Sequence, residues 1–343
     1  MSSLLTGLSV LGGVALIGVI VYNEWQQRSA TMRVAPGESE KREPTDGLQA
    51  DSVADDGSAA LSVAAPHASP AIDPLIDSVV TLELPHLYYG ELLLTSMPPT
   101  RRVGSKPFFV EALSAETGEW EYPQAGKQYS QVQAAVQLAN RLGALNDIEF
   151  SEFVMKTQSY ADAIGADVDF PDMPEEVARA RELDEFSSKA DSELSFRIAA
   201  ISSAWSAGYV QQHAQRLGFV PGMRPGRMVY PSSSDAAHAS PLVVLNFDAH
   251  AALAEDLSSS ALREIFLVLD VPHVSREENA YGIMRDLAIK LAASMDGRIT
   301  DDANGAITLE TMDAVEHALS SLYDKLDAHD LSAGSPQARR LFT

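Results

Sequence analysis

The sequence contains no cysteine, and this one absence removes disulfides, thiolate nucleophiles, Cys-bound zinc and iron–sulfur clusters together. It is compatible with a reducing compartment. Cations are scarce as well: 25 Lys and Arg stand against 48 Asp and Glu, for a formal net charge of −23. So acidic a chain repels phosphate backbones, which argues against nucleic acid as a partner. It also keeps a tethered domain away from anionic lipid headgroups. Catalytic signatures are missing too. No G-x-S-x-G, H-E-x-x-H, Walker A or G-x-G-x-x-G occurs, and the eight histidines contain no H-x3-H pair.

What is present begins with length. The 343 residues, 45% of them hydrophobic, suffice for two domains or one large one. A charged content of 21% is that of an ordinary globular protein. From Leu4 to Tyr22 no side chain is charged, and Glu24 is the first that is. At helical rise this run spans roughly 30 Å, the thickness of a bilayer's hydrocarbon core. Tyr22 and Trp25 sit where interfacial aromatics belong. The residues before the run are Met-Ser-Ser, and no A-x-A follows it, so it reads as an anchor rather than a cleaved leader. Arg28, Arg33, Lys41 and Arg42 follow the run and no basic residue precedes it. The positive-inside rule then places the N-terminus outside and the remainder in the cytoplasm.

The expected organisation is a transmembrane anchor over 1–25, an acidic linker over 26–71, an α+β region over 72–190, a second α+β domain over 191–330 and a tail over 331–343. The linker is rich in Ser, Ala, Asp, Glu, Gly and Pro, too polar to offset its chain entropy. Its reach is roughly 35–40 Å. Strands are expected at 78–84, 106–115 and 147–157, a short helix at 90–97, and a hairpin turning at Thr117-Gly118. Residues 131–140 read as strand or helix, and 174–188 as a helix opened by Pro and acids. In the second half, strands are expected at 193–201, 226–231, 241–247 and 263–272, with helices at 206–218, 279–297 and 309–328. A short hairpin over 297–308 turns at Asn304-Gly305. The fold class is α+β, an antiparallel sheet with helices on one face. The first half shows a similar order, and a diverged internal copy is one reading of it.

Two constellations could carry chemistry. Asp248, His250, Asp270 and His273 lie near neighbouring strand ends and could meet as a metal site or acid/base pair. Thr300-Asp301-Asp302-Ala303-Asn304-Gly305 echoes a calcium loop, but its first and twelfth positions are Thr300 and Thr311. Both essential carboxylates are missing, so a hairpin turn is the better reading.

The uncharged N-terminus, single apolar run with a basic flank, low-complexity linker and element order after Glu193 resemble the ZipA family of division proteins. The likeness is carried by LGF (217–219), LNF (245–247), FLVLDVP (266–272), and the MDGRITDD segment (295–302) leading to the last helix. Members anchor the tubulin-like FtsZ ring to the inner membrane. The resemblance implies an apolar trough on one sheet face that receives the FtsZ C-terminal tail, by burial of apolar surface. Carried over strand by strand, the trough would comprise Arg227, Val229, Val243, Leu245, Phe247, Phe266 and Val268, a set that depends on strand register. Ala249 stands where well-studied members carry a Lys, so the resemblance implies that a charge contact is either lost here or supplied by Arg227. The resemblance implies no catalysis, no metal and no cofactor, with the FtsZ tail and the inner membrane (through residues 4–22) as partners and neither nucleic acid nor a small-molecule substrate. The alternatives are an envelope scaffold binding another partner through 72–190, and a metal-dependent enzyme using the Asp248/His250/Asp270/His273 group.

Overall fold

Alternating burial from Ser78 to Leu82 and alternating apolar residues from Leu194 to Ile198 mark the strands on which two separate antiparallel sheets assemble. The computed structural model describes residues 72–232, 240–253, 261–301 and 305–343, all within one unit, Ala64–Thr343. The expected anchor and linker lie outside the described residues. Among the described residues no helix is long and apolar enough to cross a membrane.

The first sheet contains β1 (Asp77–Tyr89), β2 (Arg102–Val103), β3 (Lys106–Ser114), β4 (Trp120–Glu121), β5 (Gln128–Gln137) and β8 (Asp167–Val168). Their order is β2-β3-β5-β1-β8, with β4 paired to β3. The short strands β6 (Ala139–Asn140) and β7 (Gly143–Ala144) pair with each other. Helix α1 (Gly90–Thr95) follows β1, α2 (Asp147–Ile164) precedes β8, and α3 (Met173–Ala190) follows it.

The second sheet contains β9 (Glu193–Ala200), β10 (Val220–Pro221), β11 (Arg227–Tyr230), β12 (Val243–Asn246), β13 (Glu264–Asp270) and β14 (Gly297–Thr300). Its order is β10-β11-β12-β13-β9-β14. Helix α4 (Ala207–Arg216) follows β9, the short α5 (Ala249–Ala252) follows β12, α6 (Ala280–Ser294) precedes β14 and α7 (Leu309–Asp327) follows it. Five strands of each sheet thus run in one succession, β2-β3-β5-β1-β8 against β11-β12-β13-β9-β14, with helices at matching points of the chain. Laid strand on strand, the rung Val79, Ala135 and Phe109 of the first sheet can be set against the rung Ser195, Val268 and Val244 of the second.

Two sequence expectations are corrected. Residues 147–157, read as a strand from the apparent alternation of Ile148 and Phe150, open helix α2. The Asn146 side chain accepts from the Ile148 and Glu149 amides at 3.0 Å each, and the Glu149 carboxylate reaches back to the Asn146 amide at 3.3 Å, a capping box. Phe150, Phe153, Thr157, Tyr160 and Ile164 then bury one helical face, while Ile148 is 82% exposed. Gly165 ends the helix at φ 64°, in the left-handed region where glycine is least strained.

Residues 331–343, expected as a tail, fold back instead. Ser335 caps helix α8 (Pro336–Leu341), and Leu331, Ala338, Leu341 and Phe342 are buried in the core beneath the second sheet. Arg340 pairs with buried Asp77 of the first sheet, lies 4.4 Å from the centroid of the Phe109 ring and presents its carbonyl to Gln137 Nε2 at 2.9 Å. Ile76, Ala139 and Ala190 from the first half join the same core, which binds the two sheets together.

Candidate functional site

On the second sheet the helices cover one face. Met228, Val243, Leu245, Phe247, Ile265, Leu267, Leu269, Phe196 and Ile198 point into the core on that side. The opposite face follows from the register. Val229 pairs with Val244, Val244 with Val268 and Val268 with Ser195. One step along, Arg227 pairs with Asn246, Asn246 with Phe266 and Phe266 with Arg197. Directly paired residues share a face, so Val229, Val244, Phe266 and Val268 make an apolar row. All four are only half-buried.

The residues proposed from sequence therefore divide. Arg227, Val229, Phe266 and Val268 lie on the open face. Val243, Leu245 and Phe247 do not. They are 0%, 0% and 8% exposed, in the core under the helices, and Val244 and Asn246 take their places on the open face. The correction is one residue of strand phase, which moves every side chain of β12 to the other face. A sequence signal for the right phase exists. Asn246 and Asp248 share parity with Val244, and Glu264 and Asp270 share parity with Phe266 and Val268, so the polar residues mark the open side.

Backbone geometry holds this face in place. Gly226 has φ 72°, its carbonyl accepts from the Phe247 amide at 2.8 Å, and a Cβ there would come within 2.4 Å of the Phe247 carbonyl oxygen. No side chain fits, and the turn before β11 can therefore close onto the end of β12.

Charges frame the apolar row. Arg227 is exposed and forms no ion pair with a described residue, whereas Arg197 is bound to Glu264 on the adjacent strand. At the opposite end, Glu193 and Asp270 are cross-strand neighbours. Burial and the nearby Asp270 push the Glu193 carboxyl above its ordinary range. Burial alone would also raise Asp270, but His273 and Arg141 hold it below the usual carboxylate range. Arg141 comes from the β6–β7 turn and places Nη2 2.7 Å from Asp191 and 3.0 Å from Asp270, and His273 Nδ1 lies 2.9 Å from Asp270.

The chemical constellations do not assemble. Because β12 and β13 are antiparallel, Asp248 and His250 follow the end of β12 that lies beside the start of β13, whereas Asp270 and His273 follow the far end of β13. Asp248 is occupied capping α5, accepting from the His250 amide at 2.8 Å. Among the described residues no group of three or more His, Asp or Glu is arranged to hold a metal ion. In the second candidate, Thr300 bridges Ala306, and Asp301 Oδ1 accepts from the Gly305 amide at 2.6 Å, as a hairpin requires. The expected turn at Asn304 falls partly outside the described residues.

No curated protein matches this chain. The apolar row on β11, β12 and β13 falls inside a recognised segment: residues 208–318 match the family model described as ZipA, C-terminal FtsZ-binding domain, which supports the ZipA-family resemblance read from the sequence.

Proposed function

We propose that this chain tethers the division ring, and that its second α+β domain (191–330) receives the C-terminal tail of FtsZ on the open sheet face. One observation carries the reading: the segment matching an FtsZ-binding domain presents an apolar row, Val229, Val244, Phe266 and Val268, that the fold leaves half-buried. Burying such a row against an amphipathic tail supplies the affinity, and Arg227 is placed to meet a carboxylate beside it. A single tail docked on so small a face binds weakly, and many tails along a filament add avidity.

The rest of the chain fits this role. The uncharged run Leu4–Tyr22 is the inner-membrane anchor, with the N-terminus periplasmic, and residues 26–71 give the domain its reach. Residues 72–190 are a diverged copy of the binding domain, a reading supported by the shared strand succession. Where the second sheet has Val244, Phe266 and Val268 the copy carries Phe109, Gln133 and Ala135. Arg340 lies over the Phe109 ring and Ala135 is fully buried, so this face does not bind the tail. The chain performs no catalysis and needs no cofactor.

The test is fluorescence anisotropy of a labelled FtsZ tail peptide from the same organism, titrated with the chain. Saturable binding in the micromolar range, lost in Val268→Asp with the thermal melt unchanged, is the expected result. Undiminished binding by that variant overturns the site, and no binding by the wild type overturns FtsZ as the direct partner.

A further inference from the structure

The two sheets part company at one edge. In the second, β14 pairs with β9 over four rungs, from Ala200 to Arg197. In the first, β8 pairs with β1 only at Leu82 and Glu83. With Val79 in the place of Ser195, Thr81 takes the place of Arg197, yet no rung like Arg197–Thr300 faces it among the described residues. After Val168 the chain turns off toward α3. An open groove of about 560 Å³ remains between the β1 edge, Val79 to Glu83, and the segment Asp167–Pro171.

The backbone direction at this edge follows from two hydrogen bonds. The Ile76 carbonyl accepts from the Leu138 amide at 2.8 Å on the β5 side, and the Asp77 carbonyl accepts from Arg179 Nη2 at 3.3 Å. Backbone groups alternate sides along an antiparallel strand, so Val79 and Thr81 direct theirs toward the groove. A strand edge presented this way is a template for another extended chain. Val79, Val80, Phe170 and Pro171 give the groove an apolar lining, and Phe170 is braced edge-on against Phe153 at 6.5 Å. Glu83, Asp167 and Asp169 stand exposed at its rim.

We propose that this edge of the first sheet docks an extended basic segment of another protein, which adds to β1 as a strand. Its main chain pairs with Val79 and Thr81, an apolar side chain covers Phe170 and Pro171, and Lys or Arg side chains meet Glu83, Asp167 and Asp169. A second copy of this chain does not fit, because two molecules of net charge −23 repel. The site is on the other sheet from the proposed FtsZ face and independent of it.

The experiment is calorimetric titration of the full chain, in mild detergent, with the capped peptide Lys-Val-Lys-Val-Lys and with its counterpart Glu-Val-Glu-Val-Glu. Expected are saturable binding of the basic peptide alone, at least tenfold weakening in the double variant Asp167→Lys/Asp169→Lys, and slowed hydrogen exchange at Val79 and Thr81 when it binds. Both substituted residues are exposed, so an unchanged thermal melt shows that the variant folds. No binding up to millimolar peptide, equal binding of the acidic peptide, equal affinity in the double variant, or protection on Val244 and Val268 instead would each overturn the proposal.

Discussion

Asn246 faces Phe266 across the β12–β13 ladder, and this rung decides which β12 side chains meet solvent. Leu245 and Phe247, its neighbours along the strand, are core residues. Leu245→Ala is expected to cost about 2–5 kcal/mol of stability, as other buried Leu truncations do. Val244→Ala, on the half-buried face, should cost under about 1 kcal/mol. Urea denaturation of both variants checks the assignment, and a larger loss in Val244→Ala than in Leu245→Ala would mean that the faces are exchanged.

Much of the fold was legible because local signals agreed with burial. The strands at 193–201 and 263–272, and the helices at 174–188 and 309–328, combine clear periodicity with good caps or flanking charge. What was misread had two competing signals. In 147–157 the alternation of apolar residues outweighed an Asn-x-x-Glu capping box that fixes a helix start. On β12 five of the six residues from Leu242 to Phe247 are apolar, so alternation alone could not choose a face, and only the polar parity of Asn246 and Asp248 does. No local pattern reveals the C-terminal helix, because Leu341 and Phe342 are buried by the core of the second half and Arg340 is held by Asp77 and Phe109, more than 200 residues earlier.

Arg141 ties the two halves through Asp191 and Asp270 with hydrogen bonds of 2.7–3.1 Å. Since the three side chains are 19–30% exposed, solvent screens part of the effect, and Arg141→Ala should cost about 1–3 kcal/mol. The pH dependence has a definite sign. The Asp270 carboxyl is held below its ordinary value of 3.8, so its contribution is complete above that pH and is lost as the pH falls through the depressed folded value. The gap between wild type and variant should therefore be constant from about pH 5 to 7 and shrink toward pH 2. A gap independent of pH in urea titrations would remove Asp270 from the account.

Lys106 is 1% exposed, and its Nζ donates to Ser105 Oγ at 3.0 Å, Asn140 Oδ1 at 2.9 Å and the Gly143 carbonyl at 2.6 Å. Lys106→Met strands those acceptors and should cost about 1–3 kcal/mol near neutrality. Burial lowers the Lys106 pKa from 10.5 despite the attraction of Glu149 and Asp184. Below 10.5 the unfolded chain therefore binds more protons at this residue than the folded one, and wild-type stability gains from this group as the pH rises toward that value. The variant should lack the gain, so its deficit widens from pH 8 to 10. A deficit that narrows would show that the ammonium form is favoured by folding.

The pair between Arg340 and Asp77 is the most enclosed in the described structure, with side chains 10% and 0% exposed. Burial raises the Asp77 carboxyl even with Arg340 beside it, which marks a site where an unpaired charge is costly. Arg340→Ala should lose about 3–5 kcal/mol, because it leaves Asp77 buried without its cation. The double variant Arg340→Met/Asp77→Leu removes both charges and keeps most of the volume, so it should recover more than half of that loss. Should the single variant cost less than about 0.5 kcal/mol in urea, the C-terminal helix is held by Leu341 and Phe342 alone. In that case Leu341→Ala becomes the damaging change. A large loss with no recovery in the double variant would mean that the pair also fixes the stacking of Arg340 on Phe109, which methionine cannot reproduce.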